Sequence, residues 1–256
     1  MRTALACLAA ASMLALIPAD AAPRPKWEVG VGGFATYSPA YWGSSESDLG
    51  GFPVAYFIYR GDGFSIFSNG LFDVDATNTN SFDFGISVDG SGGVDSEDRL
   101  GLGDIEPVLE AGPRVTAALF ANGTSRLEVS LAARVAYQWG EDFEGWVLEP
   151  SIAYLTALSP STRLGISATP RFGYDDYNDL WYSTPGYDAE DGYMGTAFAL
   201  NMASDLSDRL RLSGRVQAVW TGGSENEDSP LHQEEWNVSA RIGFTYAIWQ
   251  SSERED

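Results

Sequence analysis

Near the C-terminus the chain reads Glu235-Trp236-Asn237-Val238-Ser239-Ala240-Arg241-Ile242-Gly243-Phe244-Thr245-Tyr246-Ala247-Ile248-Trp249. Its even positions, Trp236, Val238, Ala240, Ile242, Phe244, Tyr246 and Ile248, are apolar, while Asn237, Ser239, Arg241, Gly243, Thr245 and Ala247 between them are small or polar. Successive side chains of a strand point to opposite faces, so the segment has one fully apolar face and one polar face. A tilted strand crosses an outer membrane in about 9–11 residues, and this stretch is longer than that. Trp236 and Trp249 stand near its ends, where a spanning strand meets the two membrane–water interfaces. The stretch predicts the closing strand of an all-β fold, an antiparallel transmembrane β-barrel of the bacterial outer membrane.

The same alternation runs backwards through the chain. In Arg126 to Trp139, Leu127, Val129, Leu131, Ala133, Val135, Tyr137 and Trp139 face one way, and Arg126, Glu128, Ser130, Arg134 and Gln138 the other. Similar segments are Trp27–Tyr37, Phe52–Tyr59, Phe64–Val74, Phe82–Asp89, Ile105–Phe120, Trp146–Leu158, Arg163–Tyr174, Tyr193–Ala203 and Arg209–Thr221. Counted with the closing strand they make about eleven. Bacterial single-chain barrels close with an even number, so twelve is expected, with ten as the alternative. Pro107, Pro113, Pro150 and Pro170 fall inside these segments and predict bulges or kinks, because proline cannot donate to a ladder. Trp27, Trp139, Trp146, Trp220, Trp236 and Trp249 are the expected interface aromatics.

Residues 1–21 read as a signal peptide: Arg2 is a basic n-region, Ala4 to Ile17 an apolar h-region, and Ala19-Asp20-Ala21 a small-x-small cleavage site. Residues 22–256 then form one barrel domain. Cys7, the one cysteine, leaves with the leader, which removes disulfides and thiolate chemistry from the mature chain. The formal net charge of −21 argues against nucleic acid, whose phosphates need clustered Lys and Arg. Lipid of the outer membrane is the expected environment.

The charges within strands are concentrated on the polar faces. They comprise Arg114, Arg126, Arg134, Arg163, Arg171, Arg209, Arg211, Arg215 and Arg241, with Glu106, Glu110, Glu128 and Glu149. A guanidinium facing lipid at mid-membrane costs about 2–4 kcal/mol, so this face is expected to line the lumen. Two readings stay open. The charges can pair and fill a narrow barrel, or they can line a conduit for anionic solutes. Links at 121–125, 159–162 and 205–208 are short, whereas those at 140–145, 175–192 and 222–234 are longer and acidic. Long loops lie outside, which places the C-terminus in the periplasm.

Sites for chemistry are few. Asp175-Asp176, Asp179, Asp188, Glu190-Asp191 and Glu225 to Asp228 lack EF-hand spacing and read as a solvated outer face, so no metal is expected. Gly101-Leu102-Gly103-Asp104 has no lysine and no following helix, so it is no phosphate loop, and no cofactor is expected. His232, the one histidine, lies near Ser229, Gln233, Glu234 and Glu235. A Ser–His–acid hydrolase would have to use it as base, but a solvated loop histidine fits its position better.

Three short motifs carry a resemblance. Ser38-Pro39-Ala40-Tyr41-Trp42-Gly43-Ser44 resembles the Pro-x-Tyr-x-Gly-Ser segment that follows the first strand of the MipA/OmpV family of outer-membrane proteins. Pro53-Val54-Ala55-Tyr56-Phe57-Ile58-Tyr59-Arg60 looks like that family's next segment, and Gly101-Leu102-Gly103-Asp104-Ile105 like its Gly-Leu-Gly-Asp element. The chain departs from the pattern in running on from Gln250 to Asp256 after its last aromatic. The resemblance implies a non-enzymatic scaffold that binds a murein lytic transglycosylase and links it to a penicillin-binding protein in peptidoglycan growth. It implies no catalytic residues. A passive channel or solute-binding barrel is the alternative role.

Overall fold

The computed structural model describes residues 24–60, 65–68, 72–75, 81–140 and 143–254. The leader at 1–21 lies outside the described residues. The strands are β1 (Trp27–Pro39), β2 (Ser47–Arg60), β3 (Ser65–Ser68), β4 (Phe72–Asp75), β5 (Phe82–Ser91), β6 (Val108–Ala121), β7 (Ser125–Gln138), β8 (Phe143–Ser159), β9 (Thr162–Tyr174), β10 (Gly192–Asp205), β11 (Leu210–Trp220) and β12 (Trp236–Gln250). One helix, α1 (Asp176–Tyr182), lies between β9 and β10, and a 3₁₀ turn covers Ser96–Arg99. Each strand pairs with its chain neighbours, and β1 pairs antiparallel with β12, so the barrel closes.

Twelve strands exceed the eleven segments because Phe64–Val74 is not one strand. β3 and β4 pair antiparallel with Ser68 opposite Phe72, so the chain reverses between them. These two have four residues each, while the other ten run from 10 to 17 residues.

Apolar side chains face outward along the long strands. Leu131, Val135 and Tyr137 of β7, Phe198, Leu200 and Met202 of β10, and Val238, Ile242, Phe244 and Tyr246 of β12 are all exposed. This is the reverse of a soluble barrel, where such residues would fill the interior. Trp27 and Trp249 are exposed at the end holding both termini, and Trp139, Trp146, Trp220 and Trp236 at the opposite end. Trp146 stacks on Tyr174 with ring centroids 4.4 Å apart, and Trp220 lies 6.5 Å from Trp236.

Two charges expected on strand faces lie elsewhere. Glu106 is exposed in the loop before β6. Val94 and Ile105 form an isolated bridge there, and Pro107, which cannot donate, holds back the ladder until Val108. Arg209 is exposed in the turn between β10 and β11, where Ser207 Oγ accepts from the backbone N–H groups of Arg209 and Leu210 at 3.3 and 3.1 Å. That side-chain-mediated turn delays β11 to Leu210.

The prolines do not bulge their strands as expected. Register shifts fall at Ala118/Phe120, Val135/Tyr137, Ala157/Ser159 and Tyr193/Gly195, away from Pro113, Pro150 and Pro170. Pro150 keeps its place opposite Leu131, and Pro170 opposite Thr196. Between them, the β8–β9 pairing breaks off after Leu148↔Phe172 and resumes in unchanged register at Ile152↔Ala168. Pro150 therefore stands directly across from Pro170, and both missing N–H groups fall on one shared ladder. The side chains on either side bridge this gap. Arg171 Nη1 donates to Glu149 Oε1 at 2.5 Å, and the hydroxyls of Ser151 and Thr169 are 2.9 Å apart.

Candidate functional site

Alternation puts a guanidinium inside the barrel wherever an arginine falls on the polar face, and each needs hydrogen-bonding partners there. The central group is built by β5, β6, β7, β8 and β9. Arg134, 4% exposed, bonds Glu149, reaches Glu110 Oε2 at 3.2 Å and lies 3.6 Å from Asp89 Oδ2. Arg171 bonds both Glu149 and Glu110. Two cations are thus held by three carboxylates, with Glu110 only 2% exposed. Nearer the terminal end, Arg126 pairs with Asp83 at 3.1 Å and Glu128 at 2.9 Å. Asp205 pairs with Arg163 at 3.1 Å and Arg211 at 2.6 Å. Arg60 pairs with Glu28 at 2.6 Å. Arg215 donates to Asn201 at 3.3 Å and Gln217 at 2.5 Å, and Arg241 lies 5.8 Å from the Phe34 ring centroid. Arg114 lines the same interior space.

Above the central group, the outer loops fold over the barrel mouth. Tyr177, Trp181 and Tyr182 of α1 pack with Tyr41, Val94, Ile105, Met194 and Leu231 in one buried apolar cluster. The acidic residues of α1, Asp176 and Asp179, lie outside, so the helix is amphipathic with its aromatic face inward. Tyr177 Oη donates to Glu110 at 2.8 Å, tying the cap to the charges beneath it. Burial pushes the phenols of Tyr177, Tyr182 and Tyr41 above their usual range, so they serve as neutral donors.

The residues that carried the sequence resemblance divide between the two ends. Pro39 closes β1, and Tyr41 Oη then donates to Leu231 O at 3.0 Å. Gly43 adopts φ +91, donates to Asn237 Oδ1 at 2.6 Å, and accepts at its carbonyl from Gln233 and Glu234. Ser44 O accepts from Asn237 Nδ2 at 2.8 Å. Gly101 and Gly103 are exposed in the outer loop at 92–107, where Asp104 accepts from Ser96 N at 2.8 Å. Arg99 joins that loop to α1, donating to Gly103 O and Leu180 O at 2.9 Å each. Pro53 lies mid-strand opposite Gly33, while Tyr59 and Arg60 sit at the terminal end. There Lys26 N donates to Glu253 O and Ser251 N to Trp27 O, both at 2.9 Å. The residues after the last aromatic therefore run alongside the start of β1 as a short collar.

Sequence reading took residues 175–192 as a solvated acidic loop and missed the aromatic face of α1. The available signal was the helical spacing of Tyr177 with Trp181 and of Asn178 with Tyr182. No serine-hydrolase geometry surrounds His232. Its Nε2 lies 2.8 Å from Thr221 Oγ1, whereas Ser229 Oγ donates to Tyr182 O at 2.6 Å. Among the described residues no group of three acidic, histidine or cysteine side chains is arranged to hold a metal.

From the cap down the lumen, past the central charges to Asp83, Glu128 and Leu155 nearer the terminal end, runs an internal cavity of about 200 Å³. Tyr41, Trp42, Tyr177, Trp181 and Tyr182 form its aromatic side, and Asp89, Glu110, Arg134, Glu149 and Arg171 its charged side.

A closed ring of antiparallel strands, apolar outside and charged within, with aromatics at both ends, defines an outer-membrane β-barrel. The chain belongs to the family described as MltA-interacting protein MipA, whose model matches residues 31–248. No curated protein matches it. Its solved structural neighbours include the NanC porin, at 9% identity and TM-score 0.42, over 86% of this chain and 100% of that one. Another is OmpT of Vibrio cholerae, at 9% identity and TM-score 0.43, over 86% of this chain and 96% of that one. A third is the Ralstonia pickettii toluene transporter TbuX, at 11% identity and TM-score 0.36, over 89% and 90%.

Proposed function

We propose that this protein is a non-enzymatic outer-membrane scaffold whose periplasmic end holds a murein lytic transglycosylase and links it to a penicillin-binding protein. Membership of a family described as MltA-interacting is the observation that carries this reading. Two structural features support it. The lumen is filled by ion pairs and roofed by α1, an arrangement poorly suited to bulk solute flow. The terminal end bears short turns and an ordered collar, with Pro25 bridged to Arg254, on which a soluble partner can rest.

Mild crosslinking in cells, followed by purification of the barrel and mass spectrometry, tests the reading. A lytic transglycosylase is expected to co-purify, and to be lost when Ser251 to Asp256 is deleted. Recovery of folded barrel with no murein hydrolase or synthase attached overturns the scaffold. The rival role, a passive channel lined by arginines, requires ion conductance that changes in Arg134→Ala or Arg215→Ala.

A further inference from the structure

We infer that the lumen seats a single-chain amphiphile, its carboxylate head held at Arg215 and Arg241 and its alkyl tail along β2. Three observations carry this. The first is a second cavity, of about 80 Å³, in the wall of β1, β11 and β12. Thr36, Arg241 and Arg215 form one row across these strands, Thr36 opposite Arg241 and Arg241 opposite Arg215. Ser38, Gln217, Asn237 and Ser239 also line the cavity, and among the described residues no carboxylate does. The central group differs, since its carboxylates outnumber its arginines. Like charges directly opposite one another on one face destabilise a strand pair, and an anion between them offsets that. Arg215 also donates to Asn201 and Gln217, and Arg241 lies by the Phe34 ring. A guanidinium has five N–H groups in a fork that fits a carboxylate, so each can hold one besides its other partners.

The second observation is β2 itself. Phe52-Pro53-Val54-Ala55-Tyr56-Phe57-Ile58 lacks the alternation of the other long strands and is apolar on both faces. Phe57 is exposed to lipid like its counterparts elsewhere, while Tyr56 and Ile58 are buried on the inner face. On that inner face Phe52 and Val54 join Phe34 of β1 in an apolar strip, with the Phe34 and Phe52 ring centroids 5.8 Å apart. All three are half-buried, so apolar surface remains there for an alkyl chain. The strip starts where the arginine row ends. Thr36 and Phe34 are neighbours on one face of β1, and Gly50, opposite Thr36, puts no side chain between head and tail.

The third is a free strand edge beside that strip. β2 pairs with β3 only from Ile58 to Arg60, and β5 with β4 only from Gly85 to Ser87. Among the described residues no strand lies against the remainder of these edges, from Ser47 to Phe57 and from Val88 to Ser91. Arg60 N donates to Lys26 O, so even-numbered residues of β2 turn their backbone groups toward β1 and odd-numbered ones toward the free edge. Pro53 is odd-numbered, and a residue with no N–H suits an edge that no strand covers. It also disfavours an added strand, which leaves the lipid that already surrounds the barrel as the neighbour. Among the described residues the wall is therefore open to the membrane next to the strip, and an alkyl chain can enter there.

Native mass spectrometry of the full-length mature barrel, folded in an uncharged detergent and checked by heat-modifiability, tests this. Laurate is the probe. Acetate has its head without the tail, and dodecyltrimethylammonium has a like tail with the opposite charge. One laurate is expected to stay on each barrel, with neither counterpart retained. Arg215→Gln with Arg241→Gln, which removes charge-assisted hydrogen bonds, should lower laurate retention about tenfold. Val54→Asn, which makes the strip polar and keeps both arginines, should lower it as well. Absence of retained laurate overturns the inference. So does equal retention of either counterpart, or a folded variant that holds laurate as well as the native chain does. The three probes are compared on the native chain, so the test stands even where a variant fails to fold. None of these results bears on the scaffold role, which is read from partner capture.

Discussion

At the residue scale, two positions set local structure in ways a substitution can expose. Gly43 holds φ +91, and a Cβ there would lie 2.9 Å from His232 Cδ2. Its backbone also ties the β1–β2 loop to the segment before β12. Gly43→Ala should cost about 1–3 kcal/mol, confined to the cap. Hydrogen exchange is expected to speed up at 40–46 and 229–235 while the strands stay protected; unchanged exchange at both segments would refute that role. Glu110 is the second. It holds Arg134 and Arg171 together, and neutralising it takes a charged hydrogen-bond partner from both while Asp89 and Glu149 still balance their charge. Glu110→Gln should destabilise the barrel by about 1–3 kcal/mol in urea unfolding from lipid vesicles. A loss below about 1 kcal/mol would mean that water already screens the group. Arg134 and Glu110 were legible in the sequence because each interrupts an apolar alternation. Their pairing was not, since partners lie on strands whose register depends on the whole ring. Glu106 and Arg209 were misplaced for a related reason: a charge just past a strand end keeps the right parity but has no ladder beneath it.

At the element scale, β8 and β9 show how a strand tolerates proline. Pro150 and Pro170 face one another, so two absent donors cost one interrupted stretch of ladder rather than two. The double substitution Pro150→Val with Pro170→Val should restore a pair of hydrogen bonds and add about 1–3 kcal/mol. Either single change should give less than half, because the pyrrolidine ring that remains still holds the two strands apart and hinders the new N–H from reaching the facing carbonyl. Equal gains from the singles and the double would contradict the shared gap. Alternation alone found the long strands, but it could not align two prolines 20 positions apart in the chain. Helix α1 was hidden for another reason. Its acids dominate the local composition, while its aromatic face is meaningful only above a barrel mouth. That cap also titrates. The Tyr177 and Tyr182 phenols are raised by burial above their ordinary value of 10.0. Their stabilising effect is complete below pH 10 and is lost as pH climbs through the raised folded values. Alkaline titration followed at the tyrosinate absorbance should therefore show cap tyrosines ionising late and together with loss of cap protection. Ionisation of all tyrosines at the ordinary value would sink this.

At the scale of the whole molecule, charge is partitioned along the barrel. Arg99 is the one arginine or lysine of the described outer loops, where acids such as Asp175, Asp188, Glu190 and Glu225 gather. The remaining arginines on strands face inward and are largely satisfied by carboxylates on neighbouring strands. Two barriers consequently lie in series across the lumen, the aromatic cap and the ion-pair layers beneath it. Planar-bilayer recording separates them. The native barrel should show no steady conductance, and replacing Asp176–Tyr182 by a short glycine-serine linker should raise it little, because the second barrier remains. Combining that replacement with Asp89→Asn, Glu110→Ala, Arg134→Ala, Glu149→Gln and Arg171→Ala removes both obstacles together with the carboxylates those arginines held. Discrete conductance steps are expected only in that variant, provided heat-modifiability shows that its barrel still closes. Steady current through the native protein would mean that cap and ion pairs yield under potential, and would favour the channel over the scaffold. Full conductance after cap replacement alone would assign the barrier to α1 and leave Arg134 and Arg171 as wall lining.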